Sequence, residues 1–357
     1  MKTISVVSPC YNEEGNVEEL YERVLAVMRR LGRYRYEHIF IDNASKDGTL
    51  HVLRRLAARD RNVRVIENTR NFGHIRSPIH ALHQASGDAV IILLSDLQDP
   101  PELLEQMILE WEKGTPIVIG VKKTSDENSL MFWVRKKYYQ VIRRIAEIET
   151  YDNFIGFGLY DRKVVEIVKT FDDPYPYFRG MIAEIGLFHK ELCYNQARRK
   201  KGVTKNNLYT HYDQAMLGIT SLSKVPLRMA TFAGLLCSAA SLLTALFYLV
   251  YKLAFWNRFS VGMAPLVIGM FFFGSIQLFF IGMLGEYIGS IHTLVQKRPL
   301  ALERERINFE YPPTAPFEGR LTSHSIPLIG RPAPDRNEGP NGDYVRARSL
   351  QETPGNG

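Results

Sequence analysis

A carboxylate and a carboxamide two positions apart, Asp96 and Gln98, stand in the segment Ser95-Asp96-Leu97-Gln98-Asp99-Pro100-Pro101-Glu102. Hard oxygen ligands of this kind suit a divalent cation already bound to a diphosphate, which takes one or two protein side chains and completes its shell with phosphate and water. The segment follows the apolar run Val90-Ile91-Ile92-Leu93-Leu94, so a polar turn closes a buried strand. Ligands of α/β enzymes bind at such strand ends. The same arrangement occurs twice earlier, where Ile4-Ser5-Val6-Val7 runs into Ser8-Pro9-Cys10-Tyr11-Asn12-Glu13-Glu14 and His38-Ile39-Phe40-Ile41 runs into Asp42-Asn43-Ala44-Ser45-Lys46-Asp47-Gly48-Thr49. Asp42 is then placed to hydrogen-bond a base or a ribose. A single Asp at a strand end is most often a turn or helix cap; three acidic strand ends together point to one site.

The elements that must hold these turns follow from periodicity. Apolar residues at 17, 20, 24, 27 and 31 form a helical stripe, with Asn16 as N-cap and Gly32 as the stop. The alternation predicts strands near 3–8, 37–42, 63–68, 89–94 and 116–120, and helices near 16–31, 48–59, 75–85 and 101–113. Apolar strands alternating with amphipathic helices imply a mostly parallel sheet covered on both faces, a Rossmann-like α/β fold. Residues 121–226 are less regular and are expected to hold substrate-facing loops, amphipathic helices and a late strand near 187–194.

The remainder of the chain is of another kind. Thr231 to Tyr251 and Phe259 to Gly285 carry no Lys, Arg, Asp or Glu. Each is long enough to cross a hydrocarbon core of about 30 Å as a helix. The short connection between them makes an antiparallel hairpin, with Lys224 and Arg228 before it and Lys297, Arg298, Arg304 and Arg306 after it. The weaker basic pair Lys252 and Arg258 lies in the connection, so the positive-inside bias places the large N-terminal domain and both termini in the cytoplasm. Met1-Lys2-Thr3 leads straight into a strand, so no signal peptide is expected. Cys10, Cys193 and Cys237 are scattered, as in a reducing compartment. The net charge of +7 fits membrane proximity better than nucleic acid, because Met131 to Tyr139 and Arg143-Arg144 interleave basic and aromatic residues as an interfacial helix does. The expected organisation is a catalytic domain over 1–226, a two-span hairpin over 227–298 and a basic, Pro- and Gly-rich disordered tail over 299–357. His74, His80 and His83 lack zinc-like spacing and read as ordinary surface or core histidines. Glu286, at the end of the second span, reaches the interface.

The order and spacing of Pro9-Cys10-Tyr11-Asn12-Glu13-Glu14, Asp42 to Thr49, Arg70-Asn71-Phe72-Gly73 and Asp96 to Glu102 resemble the family 2 glycosyltransferases with a GT-A fold. The two C-terminal spans narrow the resemblance to the polyprenyl-phosphate glycosyltransferases, the dolichol-phosphate-mannose-synthase-like group. It extends over residues 3–298 and includes Arg199-Lys200-Lys201-Gly202-Val203-Thr204-Lys205. The resemblance implies inverting transfer of one hexose from a nucleotide sugar to the phosphate of a membrane polyprenol such as undecaprenyl phosphate. Pro9, Tyr11, Glu13, Asp42 and Arg70 would bind the donor together with Asp96, and Asp96 and Gln98 would hold Mg²⁺ or Mn²⁺. UDP-glucose is the first choice of donor, because relatives with Asp-Leu-Gln-Asp-Pro-Pro-Glu frequently load undecaprenyl phosphate with glucose; GDP-mannose and other UDP-sugars stay open.

The chain departs from the family pattern in three places. Leu94 stands where the first carboxylate of Asp-x-Asp is usual, so the metal rests on Asp96 and Gln98. Ile155-Gly156-Phe157-Gly158-Leu159 replaces Gly-Asp-Phe-Arg-Leu, so Gly156 removes a candidate base and Asp152 is the substitute carboxylate. A phosphomonoester with a second pKa of about 6 is already largely dianionic at neutral pH, so orientation matters more than deprotonation. Lys122, Lys123, Ser129 and Arg135 match the family's acceptor-phosphate segment loosely, with Arg199 and Lys205 as further phosphate contacts. Arg135, Arg199, Asp96 and Asp152 form the expected catalytic set.

Two other readings fit the residues less well. A processive polysaccharide synthase would carry Gln-x-x-Arg-Trp and more spans, whereas Gln196-Ala197-Arg198-Arg199 lacks the Trp. A catalytically silent membrane adaptor would explain Leu94 and Gly156, but has no need of Asp42, Asp96, Gln98 and Arg199. A two-span anchor could also pack against copies of itself, which leaves homo-oligomerisation open.

Overall fold

The computed structural model describes residues 1–122, 154–197, 208–255 and 263–309. Its first half runs β1 (Thr3–Cys10), α1 (Val17–Leu31), β2 (Arg35–Asp42), α2 (Thr49–Arg59), β3 (Val63–Asn68), α3 (Gly73–Gln84), β4 (Ala89–Ile92), α4 (Leu103–Glu112) and β5 (Ile117–Lys122). There follow β6 (Phe154–Asp161), α5 (Arg162–Thr170), α6 (Phe178–Ile185), β7 (His189–Tyr194), α7 (Leu208–Leu222), α8 (Val225–Ala254), α9 (Met263–Val295) and β8 (Glu303–Ile307). The sheet order is β7-β5-β6-β4-β1-β2-β3-β8. Strands β1 to β4 are mutually parallel. Their carboxyl ends therefore share one edge, which puts the turns carrying Tyr11, Asp42 and Asp96 side by side.

Both faces are covered because each helix presents one apolar stripe. Val17, Leu20 and Val24 of α1, Leu53 and Leu56 of α2 and Leu104 and Met107 of α4 pack with Ile4, Val6 and Phe40 on one face. Ile79 and Leu82 of α3, Val164 and Val168 of α5 and Ile182 of α6 pack with Val7, Ile39 and Ile41 on the other. Strands β4 and β5 are buried on both sides over most of their length and so read as apolar runs, whereas β7 and β8 at the two edges are largely open.

Two strands differ from the expected pattern. β6 inserts antiparallel between β4 and β5, within a stretch expected to be loops and helices. A Cβ on its Gly158 would meet the Val118 carbonyl oxygen at 2.7 Å, so β6 lies too close to β5 for a side chain there. β8 pairs antiparallel with β3, so the boundary at 299 is corrected: residues 299–309 return to the sheet. Alternating Glu303-Arg304-Glu305-Arg306 carries no apolar stripe, and the strand is held by Arg54 to Glu305 and by Arg304 to Glu67. Asn308 Nδ2 donates to the Ala57 and Val63 carbonyls at 2.7 and 2.8 Å. A charged edge also resists pairing with another chain. The tail beyond 309 lies outside the described residues, as do Met131 to Tyr139 and Arg143-Arg144.

Helices α8 and α9 have mean hydropathies of 2.0 and 2.1 over their membrane-compatible segments and bury none of that surface within the protein. They are long and apolar enough to cross a membrane. At 33 residues, α9 is about 50 Å long, so its last turns extend beyond a core of about 30 Å. Glu286 lies there and accepts from the Tyr212 hydroxyl of α7 at 2.7 Å, while Tyr287 donates to the Ser223 carbonyl at 2.8 Å. Asp213 of α7 in turn accepts from the Tyr175 hydroxyl at 3.0 Å. The juxtamembrane helix thus bonds to both the hairpin and the catalytic domain.

Two buried polar groups fix the amino-terminal edge of the sheet and its centre. Glu37 is buried and accepts from Ser86 N at 2.7 Å, Ser86 Oγ at 2.9 Å and Ser5 Oγ, and pairs with Arg64. Glu37→Gln replaces an acceptor by a donor facing other donors, and the thermal midpoint should report a loss of about 1–2 kcal/mol. His38 Nε2 meets Ser8 Oγ at 2.9 Å, and burial pulls its imidazole down to about 3 against a weaker opposing field from Asp60. The unfolded value is about 6.5, so on acidification the unfolded chain gains a proton that the folded chain refuses. Stability is therefore present above pH 6.5 and lost as pH falls, by about 2 kcal/mol between about pH 7 and pH 5. His38→Gln should flatten that slope in thermal unfolding at constant scan rate.

Candidate active site

Asp42 is the end of β2 and pairs in register with Cys10, the end of β1. Asn43 N–H donates to the Cys10 carbonyl at 2.9 Å, prolonging the contact into the turns. Asn12 Oδ1 accepts from Lys46 N at 2.8 Å, and Asn12 N–H donates to Ser45 Oγ at 2.9 Å. Glu13 N–H donates to Thr49 Oγ1 at 2.8 Å, and its carboxylate accepts from Asn16 Nδ2 at 2.6 Å. The two turns are one hydrogen-bonded unit. Asp42 Oδ2 accepts from Ser45 N at 3.1 Å, while Oδ1 is buried with no hydrogen-bond partner. Burial, offset by the Ser45 bonds, pushes this carboxyl upward. A buried acceptor aligned at a strand end and left without a donor is costly, and it suits an N–H or O–H supplied by a ligand.

The β4 turn is tied to the same unit from beneath. Ser95 Oγ lies 3.1 Å from Cys10 Sγ, whose thiol burial pushes well up. Asp96 is half-buried and accepts from Gln98 N at 3.2 Å. Gln98 exchanges hydrogen bonds with Ala197, its carbonyl accepting at 3.1 Å and its Nε2 donating at 3.4 Å. Asp99 is fully buried; Oδ1 accepts from the Tyr194 hydroxyl and Oδ2 has no hydrogen-bond partner. Burial pushes Asp99 up to about 6, with the Tyr194 hydrogen bond and then Lys122 opposing and Asp96 adding to the rise. Lys122 sits opposite Tyr194 in the β5–β7 register. Three turn residues, Asn12, Ala44 and Leu97, take left-handed φ of 57°, 59° and 58°. Such conformations cost of order 1–3 kcal/mol for Ala and Leu and concentrate at functional sites.

The sequence profile described as glycosyl transferase family 2 matches residues 5–168. An uncharacterized glycosyltransferase of Synechocystis is 34% identical over 314 residues, covering 87% of this chain and 97% of that protein. A protein named bactoprenol glucosyl transferase from Shigella phage SfII is 34% identical, covering 83% of this chain and 96% of its own. The chain belongs to glycosyl transferase family 2. A further uncharacterized glycosyltransferase, from Bacillus subtilis, is 32% identical, with 86% and 94% covered. The GT-A expectation agrees with this membership and with the mostly parallel sheet.

Within this family 2 fold the structure brings Pro9, Tyr11, Asp42, Asp96 and Gln98 to one edge. Glu13 lies there too, with its carboxylate committed to the Asn16 amide rather than open to the cleft. Arg70 stands at the margin, its guanidinium 4.0 Å from the Phe72 ring centre. Its loop is fixed by Asn43, which donates to Asn71 Oδ1 at 2.9 Å and accepts from Phe72 N at 2.9 Å. Lys123, Ser129, Arg135, Asp152, Arg199 and Lys205 lie outside the described residues. Asn43, Asp99 and Tyr194 escaped the sequence reading; a turn Asn or Asp gives no sign that its partner is remote. Among the described residues no three His, Cys, Asp or Glu gather as a metal cage. One carboxylate and one amide oxygen nevertheless fit a cation carried mainly by diphosphate oxygens.

Proposed function

We propose that this chain transfers glucose from UDP-glucose to the phosphate of a membrane polyprenol such as undecaprenyl phosphate, inverting the anomeric carbon. The observation carrying the donor reading is the unpartnered, buried Asp42 Oδ1 on the same edge as Asp96 and Gln98. In this reading a nucleoside acceptor at the end of β2 and a set of diphosphate-metal ligands after β4 flank the end of β1. Glucose and a polyprenol are supported by the relatives named bactoprenol glucosyl transferase. Asp42 accepts a hydrogen bond from the nucleoside, and the Asn12, Ser45 and Thr49 lattice keeps the carboxylate fixed. Asp96 and Gln98 would hold Mg²⁺ or Mn²⁺, whose charge stabilises the departing nucleoside diphosphate.

Reaction is a single displacement. An oxygen of the lipid phosphate forms a bond to the anomeric carbon as that carbon's bond to the diphosphate oxygen breaks, giving glucosyl-phosphoryl polyprenol and UDP. The nucleophile is already ionised, so the chain's task is to orient it, with Lys122 and the basic residues after β5 and β7 as phosphate contacts. Asp152 remains the carboxylate available if a base is used. Helices α8 and α9 hold the cleft at the membrane, and the basic residues flanking them support a cytoplasmic catalytic domain.

The test is the anomeric configuration of the lipid product made from α-linked UDP-glucose by the purified full chain with undecaprenyl phosphate, read by NMR coupling. A β-linked product is expected. An α-linked product, or none from UDP-glucose while another sugar is transferred, would contradict the proposal.

A further inference from the structure

The turn that carries Asp96 is anchored on both sides, and the second anchor is a buried pair with no part in the proposed chemistry. Before Asp96, Ser95 Oγ lies 3.1 Å from Sγ of Cys10, the last residue of β1. After it, Asp99 Oδ1 accepts from the hydroxyl of Tyr194, the last residue of β7. Between the anchors Leu97 takes its left-handed φ of 58°, a conformation that persists only where surrounding contacts enforce it. Among the described residues the Asp96 carboxylate accepts only from Gln98 N. Its direction is therefore set by the main chain of the turn, and that main chain by the anchors.

Tyr194 can serve as an anchor because its ring is itself held. It is buried and meets the Phe157 ring edge-on, 5.6 Å between centroids. Both rings use space that Gly120 leaves open, where a Cβ would come within 3.1 Å of Tyr194 Cε1 and 2.5 Å of Phe157 Cδ1. β7 stands three places from β4 in the sheet, so strand pairing does not set how the Asp96 turn lies against the end of β7. Two contacts beyond the strand ends do. One is Asp99 to Tyr194. The other is Gln98, whose carbonyl accepts from Ala197 N at 3.1 Å and whose Nε2 donates to the Ala197 carbonyl at 3.4 Å. With Nε2 committed, Oε1 is the end of the amide left for a cation.

Fold stability alone does not call for Asp99. Its carboxylate is fully buried, and Oδ2 has no hydrogen-bond partner among the described residues. Leaving a buried acceptor unpaired is unfavourable, and apolar side chains of the same shape would avoid that penalty. Groups that orient metal ligands from behind are a different matter, because their loss typically weakens metal binding by about 10–100-fold.

We propose that Asp99 and Tyr194 are positioning residues for the metal turn, their hydrogen bond letting the end of β7 direct the Asp96 carboxylate and the Gln98 amide. The inference rests on the proposed reading of Asp96 and Gln98 as ligands of a diphosphate-bound Mg²⁺ or Mn²⁺. Neither Asp99 nor Tyr194 touches substrate in it.

The full chain is purified in detergent, and Mn²⁺ binding is followed by electron paramagnetic resonance with UDP saturating, beside UDP binding in EDTA and thermal unfolding. Tyr194→Phe keeps the ring and removes the hydroxyl; it should weaken Mn²⁺ binding by about 10–100-fold and leave metal-free UDP binding within about twofold. Asp99→Asn keeps an oxygen acceptor for the hydroxyl and should retain most of the Mn²⁺ affinity. Asp99→Leu combined with Tyr194→Phe leaves no unpaired carboxylate, so it should unfold at a higher temperature than Tyr194→Phe alone while binding Mn²⁺ as weakly. Mn²⁺ affinity that returns together with stability in the double variant would show a merely structural pair and overturn the proposal. So would unchanged Mn²⁺ affinity in Tyr194→Phe, or an equal loss of metal-free UDP binding. Glucose transfer that persists in EDTA would overturn the positioning role and leave the proposed sugar and acceptor standing. Mn²⁺ binding that depends on the Tyr194 hydroxyl, in a protein that transfers no glucose, would support the positioning role and count against the proposed reaction.

Discussion

Asp96→Ala is expected to lower turnover by on the order of 10³-fold, the size found when a group that stabilises leaving charge is removed. Asp96 supplies the one carboxylate in the proposed metal set, because Leu94 gives no second one. The loss should fall on kcat and kcat/KM together, which marks an interaction made mainly in the transition state. Raising Mn²⁺ should recover part of the activity of Asp96→Asn but none in Asp96→Ala, since the amide retains one oxygen ligand. The fold should be unchanged: apart from the bond it accepts from Gln98 N, no hydrogen bond of Asp96 is seen among the described residues. Steady-state kinetics beside thermal unfolding separates the two effects.

Asp42→Asn should have a different signature. The substitution retains an oxygen for the Ser45 amide but replaces the unpartnered Oδ1 with a donor. A site built to accept a hydrogen bond then meets the ligand's donor with another donor. Donor KM is expected to rise roughly 10²-fold with kcat within about threefold, the pattern of lost uniform binding. The raised carboxyl also gives a pH dependence. Acceptance by the charged form strengthens as pH rises through the Asp42 titration, so wild-type donor KM should fall from acidic toward neutral pH and that of Asp42→Asn should not. A kcat effect equal to the KM effect would place Asp42 in the chemical step instead.

The parts of the fold legible in the sequence are those where burial imposes a pattern. Ile39-Phe40-Ile41 and Val90 to Leu93 are buried on both faces and could be little else than central strands. β6 was illegible because Gly156 and Gly158 break the apolar run, the first at a φ of +104° and the second pressed against β5. β8 was illegible because its partners, Arg54 and Glu67, lie far away in sequence and satisfy charges that read locally as a solvated tail. The site divides similarly. Asp42 and Asp96 were visible as carboxylates at strand ends, a position fixed by local pattern. Asn43 and Asp99 were not, since Asn71 and Tyr194 come from elsewhere in the chain. Nothing in Ala44 or Leu97 announces a left-handed backbone, which only the packed turns impose.

The central claim is most directly tested by transfer itself. Membranes containing the full chain are incubated with undecaprenyl phosphate, Mg²⁺ or Mn²⁺, and a panel of radiolabelled UDP- and GDP-sugars, and label in the organic phase is counted. Label from UDP-glucose, lost in Asp96→Ala and on chelation of the metal, is the predicted result. No label from any donor, in membranes where a control polyprenyl-phosphate glycosyltransferase is active, would contradict the account and favour a silent adaptor that keeps the fold.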